Sequence, residues 1–220
     1  MDITDNKKLS FNGDVIILKD TLFLHQRNKG QRQFQVLMGE EIIKPELIDI
    51  FQSNISYNQS IAKREGFDYK HIVFPCKPIL YKEQFEDIGI NLTPIFSNRH
   101  VHPSVFYPKL SITDYFLSDT HINVIGTLKL INNILLDFGY SSLPRPILEN
   151  KNFIGDLGKM IGKNNGEEVE TIKGFHGLPI ESIDMYSLYP SLKSNAGQVI
   201  FRFNPNAIHN RRLVLFGTSS

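Results

Sequence analysis

An α/β fold built on a central, mostly parallel sheet is what this amino-acid sequence predicts, on three observations. Two apolar runs, Ile72–Phe74 and Leu213–Phe216, have the unbroken hydrophobicity of strands buried on both faces. Two amphipathic stretches, 45–65 and 124–138, repeat their apolar residues with the helical period. The first of these gives way at once to the first apolar run, and helix followed by buried strand is α/β vocabulary. Of 220 residues, 41% are hydrophobic and 21% charged, which suits a globular chain able to bury a core without disulfides or metals.

The elements follow in order. Asp14–Leu18 and Thr21–His25 are β-rich runs around Lys19-Asp20 and predict a hairpin. Residues 26–33 are polar and contain Gly30, so they predict a loop. In 45–65, Leu47, Ile48, Phe51, Ile55, Ile61 and Ala62 fall mostly on one stripe, with Pro45 suited to the first turn and Gly66 to the stop. Tyr69–Phe74 is a strand that Pro75 ends. Residues 87–102 are irregular.

The clearest helix comes next. Val124, Leu128, Ile131, Leu135 and Phe138 step by helical spacings, Asn123 is the N-cap and Gly139 ends it. Residues 141–195 are rich in Gly, Pro, Asn and charge, and read as a loop-rich insertion in a single domain spanning 1–220. Two late strands, Gln198–Phe203 and Arg211–Phe216, complete the chain. Because a buried parallel strand needs neighbours and a crossover helix, the ending at Ser220 reads as that of a fragment.

Lys and Arg number 24 against 23 Asp and Glu, so no basic face argues for nucleic acid. One cysteine, Cys76, excludes a disulfide framework and a Cys-rich zinc site. The N-terminal residues are polar, and the nearby apolar run Val15–Leu18 is far too short for an export signal or a membrane span. A cytoplasmic location is therefore the expectation, unless the true N-terminus is missing.

Chemistry gathers at two places. In Asp119-Thr120-His121 the two-residue spacing lets an extended chain present both side chains on one side. The carboxylate then orients the imidazole and leaves its other nitrogen as base. The same spacing also fits an exposed turn that merely starts the helix, and on spacing alone that plainer reading leads. Gly217-Thr218-Ser219-Ser220 follows an apolar strand, where open α/β sheets place their sites. Ser219 there is a candidate nucleophile, although a plain Gly/Ser loop fits as well.

Other candidates rank lower. His100 and His102 form half of a metal site with no third ligand at suitable spacing, so no metal is expected. Cys76 lacks a basic partner in the sequence, and His176 lies between glycines in a loop. Arg211 and Arg212 would meet an anionic sugar, but two arginines at a strand start are more often solvated.

Taken together, Asp119, His121 and Ser219 supply the acid, base and nucleophile of acyl transfer, and their order resembles the alginate O-acetyltransferase (AlgX/AlgJ) family. That family carries D-T-H-W-N before a G-D-S-F nucleophile strand; here stand Asp119-Thr120-His121-Ile122-Asn123, then Gly126, and Gly217-Thr218-Ser219-Ser220. Leu18–Leu24 resembles the family's opening hairpin. Pro75, Lys77 and Tyr81 match its P-d-K-x-x-x-Y block, and Gly155-Asp156-Leu157-Gly158 its G-D-L-G element. Ile122 replaces Trp, Thr218 replaces Asp and Ser220 an aromatic residue.

The resemblance implies an SGNH-hydrolase-like three-layer fold, incomplete at the C-terminus, because the family's remaining oxyanion-hole groups lie on later strands. It implies O-acetylation of an exopolysaccharide or other glycan through an acylated Ser219, with Asp119 and His121 completing the triad. The partners would be a carbohydrate polymer and an acyl donor, beside proteins of a polysaccharide assembly system, and no cofactor. A periplasmic location would follow from the same resemblance. The alternatives are an esterase of the same fold and a carbohydrate-binding or assembly protein without activity.

Overall fold

A computed structural model of the chain describes residues 8–25, 33–93 and 102–175, together with the backbone of strands Glu181–Asp184 and Ile200–Phe203. Its first elements are an antiparallel meander: β1 (Ser10–Asn12), β2 (Val15–Leu18) and β3 (Thr21–Leu24), in that spatial order. Two-residue turns set the register, so Asn12 faces Val15 and Leu18 faces Thr21. Gly13 supplies a positive φ in the first turn, and Lys19 accepts one, φ +54°, in the second. The expected hairpin is present within a residue at its ends.

Both faces of that hairpin are covered, because its strands are apolar at consecutive positions rather than alternating ones. Ile16, Leu18 and Phe23 face a core with Phe34 and Leu37 from α1 (Gln33–Leu37), and with Tyr81, Phe85, Ile90 and Leu92. Phe23 sits at its centre, its ring edge-on to those of Tyr81 at 5.2 Å and Phe85 at 5.1 Å. Val15 and Leu22 project to the other face and meet Leu157. Each such side chain, fully enclosed, contributes roughly 1.5–3 kcal/mol.

Helix α2 (Pro45–Glu65) has the bounds its periodicity predicts: Pro45 opens it, and Gly66, at φ +74°, ends it in a left-handed cap. Of its stripe only Ile55 and Ala62 are buried, and Leu47 is exposed. Strand β4 (His71–Ile72) follows, then α3 (Lys77–Leu80) and α4 (Lys82–Glu86). Strand β5 (Val105–Phe106) precedes a short 3₁₀ turn, Ile112–Asp114, and α5 (Val124–Asp137). Asn123 caps α5 as expected, its side-chain oxygen accepting from the N–H of Gly126 at 2.8 Å.

The parallel central sheet is absent among the described residues, and the SGNH-hydrolase-like three-layer expectation is corrected accordingly. Their one parallel pairing joins β4 to β5 through His71↔Val105 and Ile72↔Phe106. Of the Ile72–Phe74 run only Ile72 lies in a strand. Ile72 and Val73 are half-buried and Phe74 is 37% exposed, whereas a central strand has both faces covered. The apolar segment with two covered faces is the N-terminal hairpin. Leu213–Phe216 lies outside the described residues.

The stretch 141–195 carries more regular structure than its composition suggests. Strand β6 (Pro146–Phe153) pairs with β7 (Glu167–Phe175), and the short helix α6 (Asp156–Met160) lies between them in sequence. Polar and charged residues fill much of β6 and β7, which hides them from a search for apolar runs. By compactness the chain divides into Met1–Leu143 with Glu149–Thr171, and Pro144–Leu148 with Ile172–Ser220. In the second unit β8 (Glu181–Asp184) pairs antiparallel with β9 (Ile200–Phe203), inside the strand expected at Gln198–Phe203. Among the described residues no helix is long and apolar enough to cross a membrane.

Candidate active site

Residues 115–122 form a tight loop closed by an antiparallel bridge between Tyr115 and Ile122. The N–H of Phe116 donates to the carbonyl of His121 at 3.3 Å. The Phe116 ring stacks on Phe153 at 4.3 Å between centroids. Asp119 and His121 stand on this loop, two residues ahead of the Asn123 cap.

Their side chains meet. Nδ1 of His121 lies 2.5 Å from Oδ1 of Asp119, and the backbone N–H of His121 donates to the same oxygen at 3.0 Å. Oδ2 of Asp119 accepts from the N–H of Asp156, in the first turn of α6, at 2.8 Å. The aspartate side chain is 6% exposed and the imidazole 53%. Burial alone would raise the Asp119 pKa; the N–H of Asp156 and the His121 contacts outweigh it and hold the carboxyl below its usual range. A buried carboxylate on Nδ1 fixes the tautomer that leaves Nε2 as the acceptor. No described residue bonds Nε2.

The rest of the loop is held from three sides, which accounts for its buried backbone groups. Glu167, on β7, accepts the N–H of Leu117 at 2.8 Å, the N–H of Ser118 at 2.8 Å and the Ser118 hydroxyl at 2.5 Å. From α6, Gly158 donates to the carbonyl of Ser118 at 3.0 Å, and Gly155 donates to its hydroxyl oxygen at 2.9 Å. From the core side, Lys77 donates to the carbonyls of Asp119 at 2.8 Å and Leu117 at 3.0 Å. Leu22, on β3, adds its N–H to the Leu117 carbonyl at 2.9 Å.

Gly155 makes the approach of α6 possible. A β-carbon there would lie 2.6 Å from Cβ of Asp119 and closer still to the carbonyl of Ser118. Gly126 does the same for α5: a β-carbon would stand 2.8 Å from Cβ of Asp114. Both glycines were visible in the motifs. Ser118 and Glu167 were not, because they act mainly on main-chain groups.

The structure therefore brings two of the three expected catalytic residues, Asp119 and His121, into contact. Ser219 lies outside the described residues, as do His100, His176, Arg211 and Arg212. His102 is engaged by Ser56, whose hydroxyl lies 2.8 Å from Nε2, and by the N–H of Ser104, 3.1 Å from Nδ1. Burial pushes the Cys76 thiol up in pKa, which weakens it as a nucleophile. No family model, curated protein or solved structure matches the chain.

Proposed function

We propose that the chain transfers or cleaves O-acyl groups on a carbohydrate through a serine acyl-enzyme, with His121 as base, Asp119 orienting it and Ser219 as nucleophile. The observation that carries this reading is the 2.5 Å contact between a buried Asp119 carboxylate and a half-exposed His121 ring. That pair is what acyl transfer asks of a base and its orienting group. Support also comes from the blocks that resemble the O-acetyltransferase family. Lys77 from one and Gly155–Gly158 from another both bond the loop that bears the Asp119–His121 block.

In the chemistry proposed, Nε2 of His121 takes the proton of the Ser219 hydroxyl as its oxygen bonds the acyl carbon. The donor's ester bond breaks, and its leaving oxygen receives that proton. A sugar hydroxyl or water then attacks the acyl-serine, His121 again taking and returning the proton. No cofactor is required. The attacking hydroxyl must come within roughly 2.6–3.2 Å of Nε2.

An acetyl-ester reporter assay on the wild type, His121→Ala and Ser219→Ala tests the proposal. Turnover by the wild type, with both variants at background, is expected. Equal background turnover in all three would overturn it and point to a carbohydrate-binding protein.

A further inference from the structure

Lys77 is 3% exposed, and its ammonium does something unusual for a buried cation. Among the described residues it forms no contact ion pair; its three N–H bonds go to main-chain carbonyls, of Leu22 at 2.7 Å, Asp119 at 2.8 Å and Leu117 at 3.0 Å. The nitrogen also stands 5.1 Å from the centre of the Phe23 ring, the hub of the core. Leu22 belongs to β3, and Leu117 and Asp119 to the site loop. One cation thus joins the rigid hairpin to both ends of the Leu117–Asp119 segment.

The other clamps on the loop are arranged differently. Glu167 holds its amides and Gly158 the carbonyl of Ser118, while the Leu117 carbonyl is shared with the Leu22 N–H. Of the two loop carbonyls that Lys77 bonds, that of Asp119 has no other donor among the described residues. That carbonyl belongs to the residue whose carboxylate orients His121. Without Lys77 the other bonds to the loop remain available, but the Asp119 carbonyl loses this one.

We propose that Lys77 is a positioning residue for the Asp119–His121 pair, its ammonium fastening the Asp119 carbonyl to β3 and so setting where the imidazole stands. The effect on a reaction rests on the acyl-transfer reading above; the placement of the pair does not. The charged groups facing Lys77 are Glu167 from β7 and Asp119 from the loop. Burial lowers its pKa to about 7, against the pull of those two carboxylates, so its third donor is lost in the neutral to basic range.

Proton NMR of the full chain, beside the ester assay, tests this. In the wild type the Nδ1 proton of His121, held by Asp119, gives a far-downfield resonance. Lys77→Met, with a folded circular-dichroism spectrum, is expected to lose that resonance and to lower kcat about 10–100-fold with little change in KM. Retention of the resonance at its wild-type position overturns the proposal, whatever the turnover. A wild type that shows the resonance but no turnover, with a Lys77→Met variant that loses it, sinks the acyl-transfer reading and upholds the role of Lys77. Should Lys77→Met fail to fold, a wild-type pH titration decides. The backbone amides of Leu117, Ser118 and His121 must shift with the midpoint of the Lys77 side chain; amides that stay still through that midpoint overturn the assignment.

Discussion

Gly155 lies against Asp119 so closely that a β-carbon on the glycine would sit 2.6 Å from that of the aspartate. The neighbours on that side include the backbone of Ser118, which cannot swing aside as a long side chain would. Gly155→Ala should therefore push α6 off the loop and break the Asp156-to-Asp119 bond. A loss of about 2–4 kcal/mol in urea unfolding is expected. Gly174→Ala, where a β-carbon meets nothing within 4 Å, is the control and should change stability by no more than about 0.5 kcal/mol.

Asn123 does two jobs at the start of α5. Its oxygen caps the Gly126 N–H, and its amide nitrogen donates to the carbonyls of Thr113 at 2.7 Å and Tyr115 at 3.3 Å. Asn123→Ala is expected to cost about 1–2 kcal/mol. Asn123→Asp keeps the cap and loses the donors, so its denaturation midpoint should fall between those of the alanine variant and the wild type.

Asp119→Asn separates shape from charge. The amide oxygen can still accept from Asp156, but the amide nitrogen cannot accept from His121 as a carboxylate does, and the preferred tautomer changes. On the proposed mechanism acetyl-ester turnover should fall about 10²–10⁴-fold while the far-ultraviolet spectrum stays native. Turnover within a few-fold of wild type would remove Asp119 from the mechanism.

Stability should bend with pH on both sides of neutrality. Asp119 and Asp114 both have lowered pKa values. Burial opposes that direction at each, and the Asp156 and His121 contacts overcome it at Asp119, as the Lys129 and Ser111 contacts do at Asp114. A depressed carboxyl contributes stability above its unfolded value near 3.8, which is lost as pH falls through the folded one. Lys77 acts in the same direction in a different window. Between about 7 and the ordinary lysine value of 10.5 the unfolded chain keeps a proton that the folded chain has lost, so this residue makes stability rise with pH. Urea midpoints across the basic range, wild type minus Lys77→Met, isolate that rise; a flat difference would contradict it.

Glu167 supplies the only bonds described for the N–H groups of Leu117 and Ser118. Glu167→Ala would leave those donors and the Ser118 hydroxyl without their acceptor, costing about 2–4 kcal/mol. Amide hydrogen exchange at residues 117–119 should quicken more than at the meander. Uniform exchange across both regions would show that the loop does not depend on this carboxylate.

What the sequence determined by itself is local. Pro45 and Gly66 bound α2, Asn123 and Gly139 bound α5, and Lys19-Asp20 turns the hairpin, because caps and turns are decided by the few residues that form them. The meeting of Asp119 and His121 is local too, though not through the extended chain the spacing predicts: in a tight loop the Asp119 carboxylate accepts the N–H of His121 two residues on and meets its ring nitrogen. Tertiary structure decided the rest. The run at Ile72–Phe74 proved half-exposed, because apolarity states that a segment can be buried and not how many strands will flank it. Lys77 and Glu167 reach the loop from sequence separations of 42 and 49 residues. Both bond main-chain groups there, and every residue carries those groups. No side-chain pattern could mark which carbonyl a buried lysine would find; only the folded chain, bringing β3, β7 and the loop together, selects it.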